Sequence, residues 1–217
     1  MTDKIDTILF DLDGTLTDSK KGIVNSILYA LDKLGIQENR VNELDAFIGP
    51  PLIDSFVARY HLSDMLADKA VSFHRDYFSA KGLFENELYF GVPDLLETLY
   101  ARKYKLFVAT SKPTVFATQI LKHFNLDRYF EEIVGSNLDH TRTDKTEIIS
   151  YILSLHGLQP NSSVMVGDRK HDIIGANHNA VKSLAVTYGY GSLQELSSYN
   201  PDYMAADCAE IKSILRI

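Results

Sequence analysis

Ile5-Asp6-Thr7-Ile8-Leu9-Phe10-Asp11-Leu12-Asp13-Gly14-Thr15 is a short apolar run that breaks into a polar turn. A run of this length followed by Asp, Gly and Thr reads as a buried strand ending in a loop, with Ile5 to Phe10 as the strand. Side chains alternate along an extended chain, so Asp11 and Asp13 point the same way while Leu12 returns to the core. Two carboxylates therefore converge at one strand end. A capping Asp beside a turn Asp would give the same pattern. A calcium loop would not, because Thr15, Leu16 and Gly22 stand where its fifth, sixth and twelfth positions need other residues.

Outward from this strand the pattern turns helical. Ile23, Ile27, Leu31 and Leu34 recur at spacings of four, four and three, with Gly35 where a terminating glycine belongs, so a helix is expected over Ser19–Leu34. Asn42–Phe47, Leu52–Tyr60 and Ser63–Ala80 are also helix-like, interrupted by Gly49-Pro50-Pro51 and His61-Leu62-Ser63. After Gly91-Val92-Pro93 helix and strand alternate. Strands are expected at Lys105–Ala109, Ile133-Val134, Ser163–Val166 and Ser183–Thr187, and helices at Asp94–Arg102, Val115–His123, Lys145–His156, Ile173–Asn177 and Ala209–Leu215. Strands joined by helical crossovers imply an α/β fold, a parallel sheet with helices on both faces. The consecutive helices interrupt it after the first strand. The expected division is a discontinuous sheet domain, 1–17 and 88–217, with a helical domain over 18–87 hinged near Thr17-Asp18 and Leu83–Gly91.

Length and composition agree with this size of fold. At roughly 150 residues per domain, 217 residues hold a full core and a smaller appendage. With 45% hydrophobic and 24% charged residues there is no bias towards disorder. The 22 Lys+Arg against 29 Asp+Glu give a net charge of −7, which would repel a phosphate backbone, so no nucleic-acid polymer is expected as partner. One cysteine, Cys208, cannot form an intrachain disulfide, and Met1–Asp6 holds two acids without an apolar segment. No apolar run approaches the 18 or so residues that cross a bilayer. A cytoplasmic protein with no membrane partner is expected; its oligomeric state is not encoded in any recognisable pattern.

Three further stretches carry candidate chemistry. Ala109-Thr110-Ser111-Lys112-Pro113 puts two hydroxyls at a strand-to-helix junction, where free backbone N–H groups can meet an anion and where simple N-capping would also place them. Lys145 opens a helix just after Arg142, although the macrodipole disfavours cations there by a few tenths of a kcal/mol or more, which suggests a nearby anion unless both lie in solvent. Gly167-Asp168-Arg169-Lys170-His171-Asp172 sets a second carboxylate pair, four residues apart, at a strand tip. Asp168 and Asp172 facing a cation would account for it, with Arg169, Lys170 and His171 read as surface charge. His171, His178 and Cys208 do not have zinc-ligand spacing.

In order along the chain, Asp-x-Asp-Gly-Thr, a hydroxyl after the second strand, a lysine opening a later helix and Gly-Asp-x-x-x-Asp resemble the four motifs of the haloacid dehalogenase-like hydrolase superfamily. The resemblance covers essentially the whole chain and is most specific over Phe10–Ser19, Gly167–Ala176 and Tyr188-Gly189-Tyr190-Gly191-Ser192. The inserted helical segment is the arrangement of its phosphoglycolate phosphatase-like branch. Lys145 departs from the pattern in being followed by Thr146 rather than proline. The resemblance implies a Rossmann-like core with an all-helical cap, and a magnesium-dependent phosphatase acting on a small phosphorylated metabolite such as phosphoglycolate, a 5′-nucleotide or pyrophosphate.

By the same resemblance, Asp11 would be the nucleophile that becomes an aspartyl-phosphate and Asp13 the general acid and base. Thr110, the Ser111 N–H and Lys145 would hold the phosphoryl oxygens. Asp11, Asp168, the Asp13 backbone carbonyl and Asp172, directly or through water, would hold Mg2+. Asp13 argues against carbon–halogen hydrolysis, which has no need of that second carboxylate. A sugar-phosphate mutase resembling β-phosphoglucomutase shares the four motifs and is the enzymatic alternative. A phospho-accepting regulatory domain is the non-enzymatic one, but it has no place for some 65 extra helical residues.

Overall fold

The computed structural model describes residues 4–139 and 141–217. Two compact units divide the chain, one of Met1–Thr17 with Leu88–Ile217 and one of Asp18–Glu87. The chain begins with β1 (Thr7–Phe10) and β2 (Thr17–Asp18) and passes into α1 (Lys20–Lys33), α2 (Leu52–Tyr60) and α3 (Asp64–Ala80). It returns through β3 (Glu87–Leu88), the partner of β2, to α4 (Val92–Ala101). Strict alternation follows: β4 (Lys105–Pro113), α5 (Thr114–His123), β5 (Glu132–Ser136), α6 (Lys145–His156), β6 (Ser163–Gly167) and α7 (Lys170–His178). The chain ends with β7 (Lys182–Val186), α8 (Leu193–Ser198), β8 (Tyr203–Ala205) and α9 (Cys208–Leu215).

Six parallel strands form the large sheet, in the order β5-β4-β1-β6-β7-β8. β1 is central, and all four of its residues are buried, as a strand covered on both faces requires. Its neighbours are in register, Phe10 opposite Val108 of β4 and Val166 of β6. Leu9, Phe107, Ala109 and Met165 pack against Ile148, Ile149 and Ile152 of α6 and Ala176 of α7. At about 1.5–3 kcal/mol for each large apolar side chain, this layer is a main contributor to the stability of the sheet. From β4 the chain moves outward to β5, and from β6 it moves the opposite way to β7. The reversal between β1 and β6 is a topological switch point, which opens a crevice at the carboxyl ends of the strands.

In the helical unit, α1 packs on α3. Just beyond α3, Gly82 meets Gly22 of α1 backbone to backbone, where a Cβ on either would overlap the other's chain. Phe56 and Tyr60 of α2 form an edge-on and tilted aromatic cluster with Phe47.

Several elements depart from the sequence expectation. Asn42–Phe47 is not α-helical but part of a 3-10 turn, Val41–Phe47, whose buried residues Leu44 and Phe47 are spaced by the three residues of that geometry. β4 continues to Pro113 with a register break after Ala109, consistent with the extended conformation imposed ahead of a proline. α7 starts at Lys170, three residues early, because Asp172 accepts a hydrogen bond from the Arg169 N–H and caps the first turn. α8 and β8 had no expectation; β8 is a three-residue edge strand with no alternation to reveal it.

Candidate active site

The site is assembled at the carboxyl ends of β1, β4 and β6. Asp11 follows β1 directly, and its N–H donates to the Val166 carbonyl at 2.9 Å, so the β1–β6 ladder holds its backbone beyond the strand proper. Leu12 then buries its side chain, and its carbonyl accepts from the N–H groups of Leu16 (2.9 Å) and Thr17 (3.0 Å), which closes the loop tightly. Gly14 has φ +83, and a Cβ there would overlap the Asp168 carboxylate; both conditions call for glycine.

Asp11, Asp168 and Asp172 present carboxylate oxygens within 4.8 Å of one another, and all three are buried. Asp168 directly follows β6; its Oδ2 accepts from the Tyr190 N–H at 2.7 Å and its Oδ1 from the Thr15 hydroxyl at 3.4 Å. Asp172 lies in the first turn of α7. The two acids therefore meet as a strand end and a helix start, not as neighbours on one helical face as the spacing of four suggested.

Lys145, at the start of α6, reaches into the cluster. Its Nζ lies 2.8 Å from Asp172 Oδ1 and 3.0 Å from Asp11 Oδ1, and donates to the Ala109 carbonyl at 2.8 Å. Burial alone would push this ammonium down, but Asp11 and Asp172 outweigh it and hold its pKa above the usual lysine value. Burial raises Asp172 to about 6 against the pull of Lys145. Burial, reinforced by the charges of Asp172 and Asp11, keeps Asp168 well above the ordinary carboxylate range. Three carboxylates against one buried ammonium leave two formal negative charges uncompensated. A divalent cation with oxygen preference matches that excess, so the donor set fits Mg2+ in both charge and chemistry.

Asp13 turns to a different cation. Its Oδ2 is 2.8 Å from Lys112 Nζ with both side chains largely buried, while its Oδ1 has no partner among the described residues. Thr110 is buried on β4 and accepts from the Lys112 N–H at 3.3 Å, and the Ser111 carbonyl accepts from the Ser136 hydroxyl at 2.9 Å. The neighbouring cations behave differently from expectation. Arg142 meets a carbonyl and a ring: its Nε donates to the Gly135 carbonyl and its guanidinium lies 4.6 Å from the centre of the Tyr151 ring. Arg169 is not plain surface charge but pairs with Glu195 at 3.0 Å.

Sequence inspection missed Lys112 as part of the site. The period-two rule offered the signal, since Lys112 lies two residues after Thr110 on an extended strand. The Gly189 and Gly191 positions also matter, because a Cβ on either would strike Asp168.

The haloacid dehalogenase-like hydrolase family pattern matches residues 8–186, so the chain belongs to that family. A 5'-nucleotidase of Pseudomonas aeruginosa is 47% identical over 208 residues, covering 96% of this chain and 94% of that protein. A phosphoglycolate phosphatase of Vibrio parahaemolyticus is 28% identical over 98% of this chain and 97% of its own length. The crystal structure of a predicted phosphatase from Clostridium acetobutylicum superposes with a TM-score of 0.95 at 44% identity, covering 99% of this chain and 100% of that one. These likenesses put the chain on the phosphatase side of the family, in the phosphoglycolate phosphatase-like branch. Among the described residues no helix is long and apolar enough to cross a membrane.

Proposed function

We propose that the protein hydrolyses the phosphate ester of a small metabolite through an aspartyl-phosphate on Asp11, with Mg2+ held by Asp11, Asp168, Asp172 and the Asp13 carbonyl. The observation that carries this is the buried carboxylate cluster, with Lys145 inside it, at the β1–β6 switch point. A bound Mg2+ would neutralise charge on the phosphoryl oxygens and on the attacking carboxylate.

Asp11 is positioned for the attack: Leu12 N–H fixes its Oδ1 at 2.7 Å and Lys145 fixes the same oxygen. A carboxylate oxygen of Asp11 forms the new bond to phosphorus as the bond to the leaving oxygen breaks. Asp13 gives that oxygen its proton and then takes one from the water that cleaves the aspartyl-phosphate. Its unpartnered Oδ1 is the atom available for the proton, because Lys112 occupies Oδ2. Thr110, the Ser111 N–H and Lys145 hold the remaining phosphoryl oxygens.

The relatives' names indicate the substrate range: a 5′-nucleotide or phosphoglycolate, with pyrophosphate as a further member. A panel of these phosphate compounds, two esters and an anhydride, scored for released phosphate in magnesium and in EDTA, tests the proposal. Release from at least one of them in magnesium and none in EDTA is expected. Equal release in both, or isomerisation of a sugar phosphate without net release, would contradict it.

A further inference from the structure

Asp168 and Asp172 stand at the two ends of the segment 168–172, and each has one oxygen tied by a backbone N–H. Asp168 Oδ2 accepts from Tyr190 at 2.7 Å and Asp172 Oδ2 from Arg169 at 3.0 Å, while Asp172 Oδ1 is turned to Lys145 at 2.8 Å. With Asp11 these acids bring carboxylate oxygens within 4.8 Å of one another, so like charge pushes the segment open. Restraint has to come from outside the three acids.

Glu195, in the first turn of α8, supplies it. Its Oε1 accepts from the Lys170 N–H at 3.0 Å and from Arg169 Nε at 3.0 Å, and both side chains of the ion pair are mostly buried. The Lys170 N–H opens α7 and has no acceptor within that helix, so the bond to Glu195 fixes the turn that carries Asp172. α8 is fixed at its own start, where Ser192 Oγ accepts from the Glu195 N–H at 3.1 Å. Ser192 closes the loop 188–192, and the Tyr190 N–H of that loop holds Asp168. One carboxylate oxygen thus joins the loop that orients Asp168 to the helical turn that orients Asp172.

We infer that Glu195 is a positioning residue for the metal site, setting the spacing of Asp168 and Asp172 through Arg169 and Lys170, by its reach rather than its charge. The inference rests on the magnesium site proposed above. Reach and charge are separable here because both bonds fall on the same oxygen. A glutamine amide oxygen can accept both without the charge, whereas an aspartate keeps the charge but is one carbon too short. The choice of ion separates spacing from general loosening: Mg2+ demands near-ideal octahedral geometry and Ca2+ tolerates irregular sites, so lost spacing should penalise Mg2+ more.

The test is calorimetric titration of the metal-stripped full-length protein with MgCl2 and with CaCl2, without substrate, for wild type, Glu195→Gln and Glu195→Asp. Glu195→Asp should weaken Mg2+ binding about tenfold or more, the effect typical of groups that orient a metal ligand from behind, and Ca2+ binding by less. Glu195→Gln should bind Mg2+ nearly as wild type does. If circular dichroism shows that Glu195→Asp is not folded, Glu195→Ala carries the test with the same expected loss of Mg2+ over Ca2+. A weakened Glu195→Gln beside an unaffected Glu195→Asp would assign the effect to charge and overturn the inference. Equal losses for the two ions would overturn it as well. Saturable Mg2+ binding by the wild type, matched by the shortened variant, rejects the role of Glu195 alone. No saturable Mg2+ binding by the wild type rejects the metal site itself, and this inference with it.

Discussion

Lys145→Met removes the ammonium from the carboxylate cluster while keeping a side chain of similar length. Lys145 is 4% exposed and loses three polar partners, Asp11, Asp172 and the Ala109 carbonyl. Breaking a buried ion pair by deleting one member costs about 3–5 kcal/mol, because the remaining charge stays buried. Relief from burying the ammonium itself favours the lower end, about 3 kcal/mol at pH 7.5 without metal. For a chain of this size that is a fall in Tm of roughly 6–12 °C.

The pH dependence has a definite sign. Lys145 has a raised pKa, so it stays charged throughout pH 4 to 8 and any change in its contribution there comes from the titration of its carboxylate partners. Asp172 is raised from 3.8 to about 6, so its charge weakens the fold as pH rises through that window and is relieved as pH falls. The gap between wild type and variant should therefore be widest at pH 7.5 and narrow towards pH 4.5. Scanning calorimetry of EDTA-treated samples at several pH values reads it directly. Equal Tm values at pH 7.5, or a gap that widens on acidification, would refute the electrostatic account of the cluster.

Two other substitutions probe separate parts of the molecule. Lys112→Met should leave KM for an alkyl phosphate nearly unchanged and lower its kcat by about 10–10²-fold, part of the factor general acid catalysis supplies; p-nitrophenyl phosphate, whose leaving group needs little protonation, should lose less, and equal losses would contradict the role of Asp13. In the helical unit, Glu38 is held down to about 2 by hydrogen bonds from Arg59 above all, then Tyr60 and the Arg40 N–H. Its stabilisation is present above pH 4.5 and lost as pH falls towards about 2, so Glu38→Gln should cost about 1–2 kcal/mol at pH 7 after solvent screening and progressively less in acid melts; a constant difference would contradict it.

Much of the fold was legible because its elements carry strong periodicity or sharp boundaries. Leu52–Tyr60 and Lys145–His156 are helices with the bounds the sequence pattern implied, the first between Pro51 and a left-handed His61, the second between Asp144 and Gly157. The unbroken apolar run at Ile8-Leu9-Phe10 marked a strand buried on both faces, and it is the centre of the sheet. Elements held by tertiary pairing alone left no such trace. Tyr203–Ala205 is a strand because β7 offers an edge, not because of its own composition. The meeting of Asp11, Asp168 and Asp172 was implied by the resemblance to the hydrolase superfamily; spacing by itself put only two separate carboxylate pairs at two strand ends. The Lys112–Asp13 pair depends on where side chains turn after the backbone is set, and spacing does not encode that.

The central claim is that Asp11 carries the phosphoryl group between two chemical steps that both need Asp13. Asp13→Asn slows the second step when the leaving group is nitrophenolate, so the intermediate should accumulate. The decisive measurement is acid quenching of this variant during turnover of p-nitrophenyl phosphate in magnesium, followed by peptide mass spectrometry. One phosphoryl group on the peptide containing Asp11, absent when Asp11→Asn is added, is the result expected. A burst of nitrophenolate with no phosphorylated peptide, or with the phosphoryl group on another residue, would contradict it.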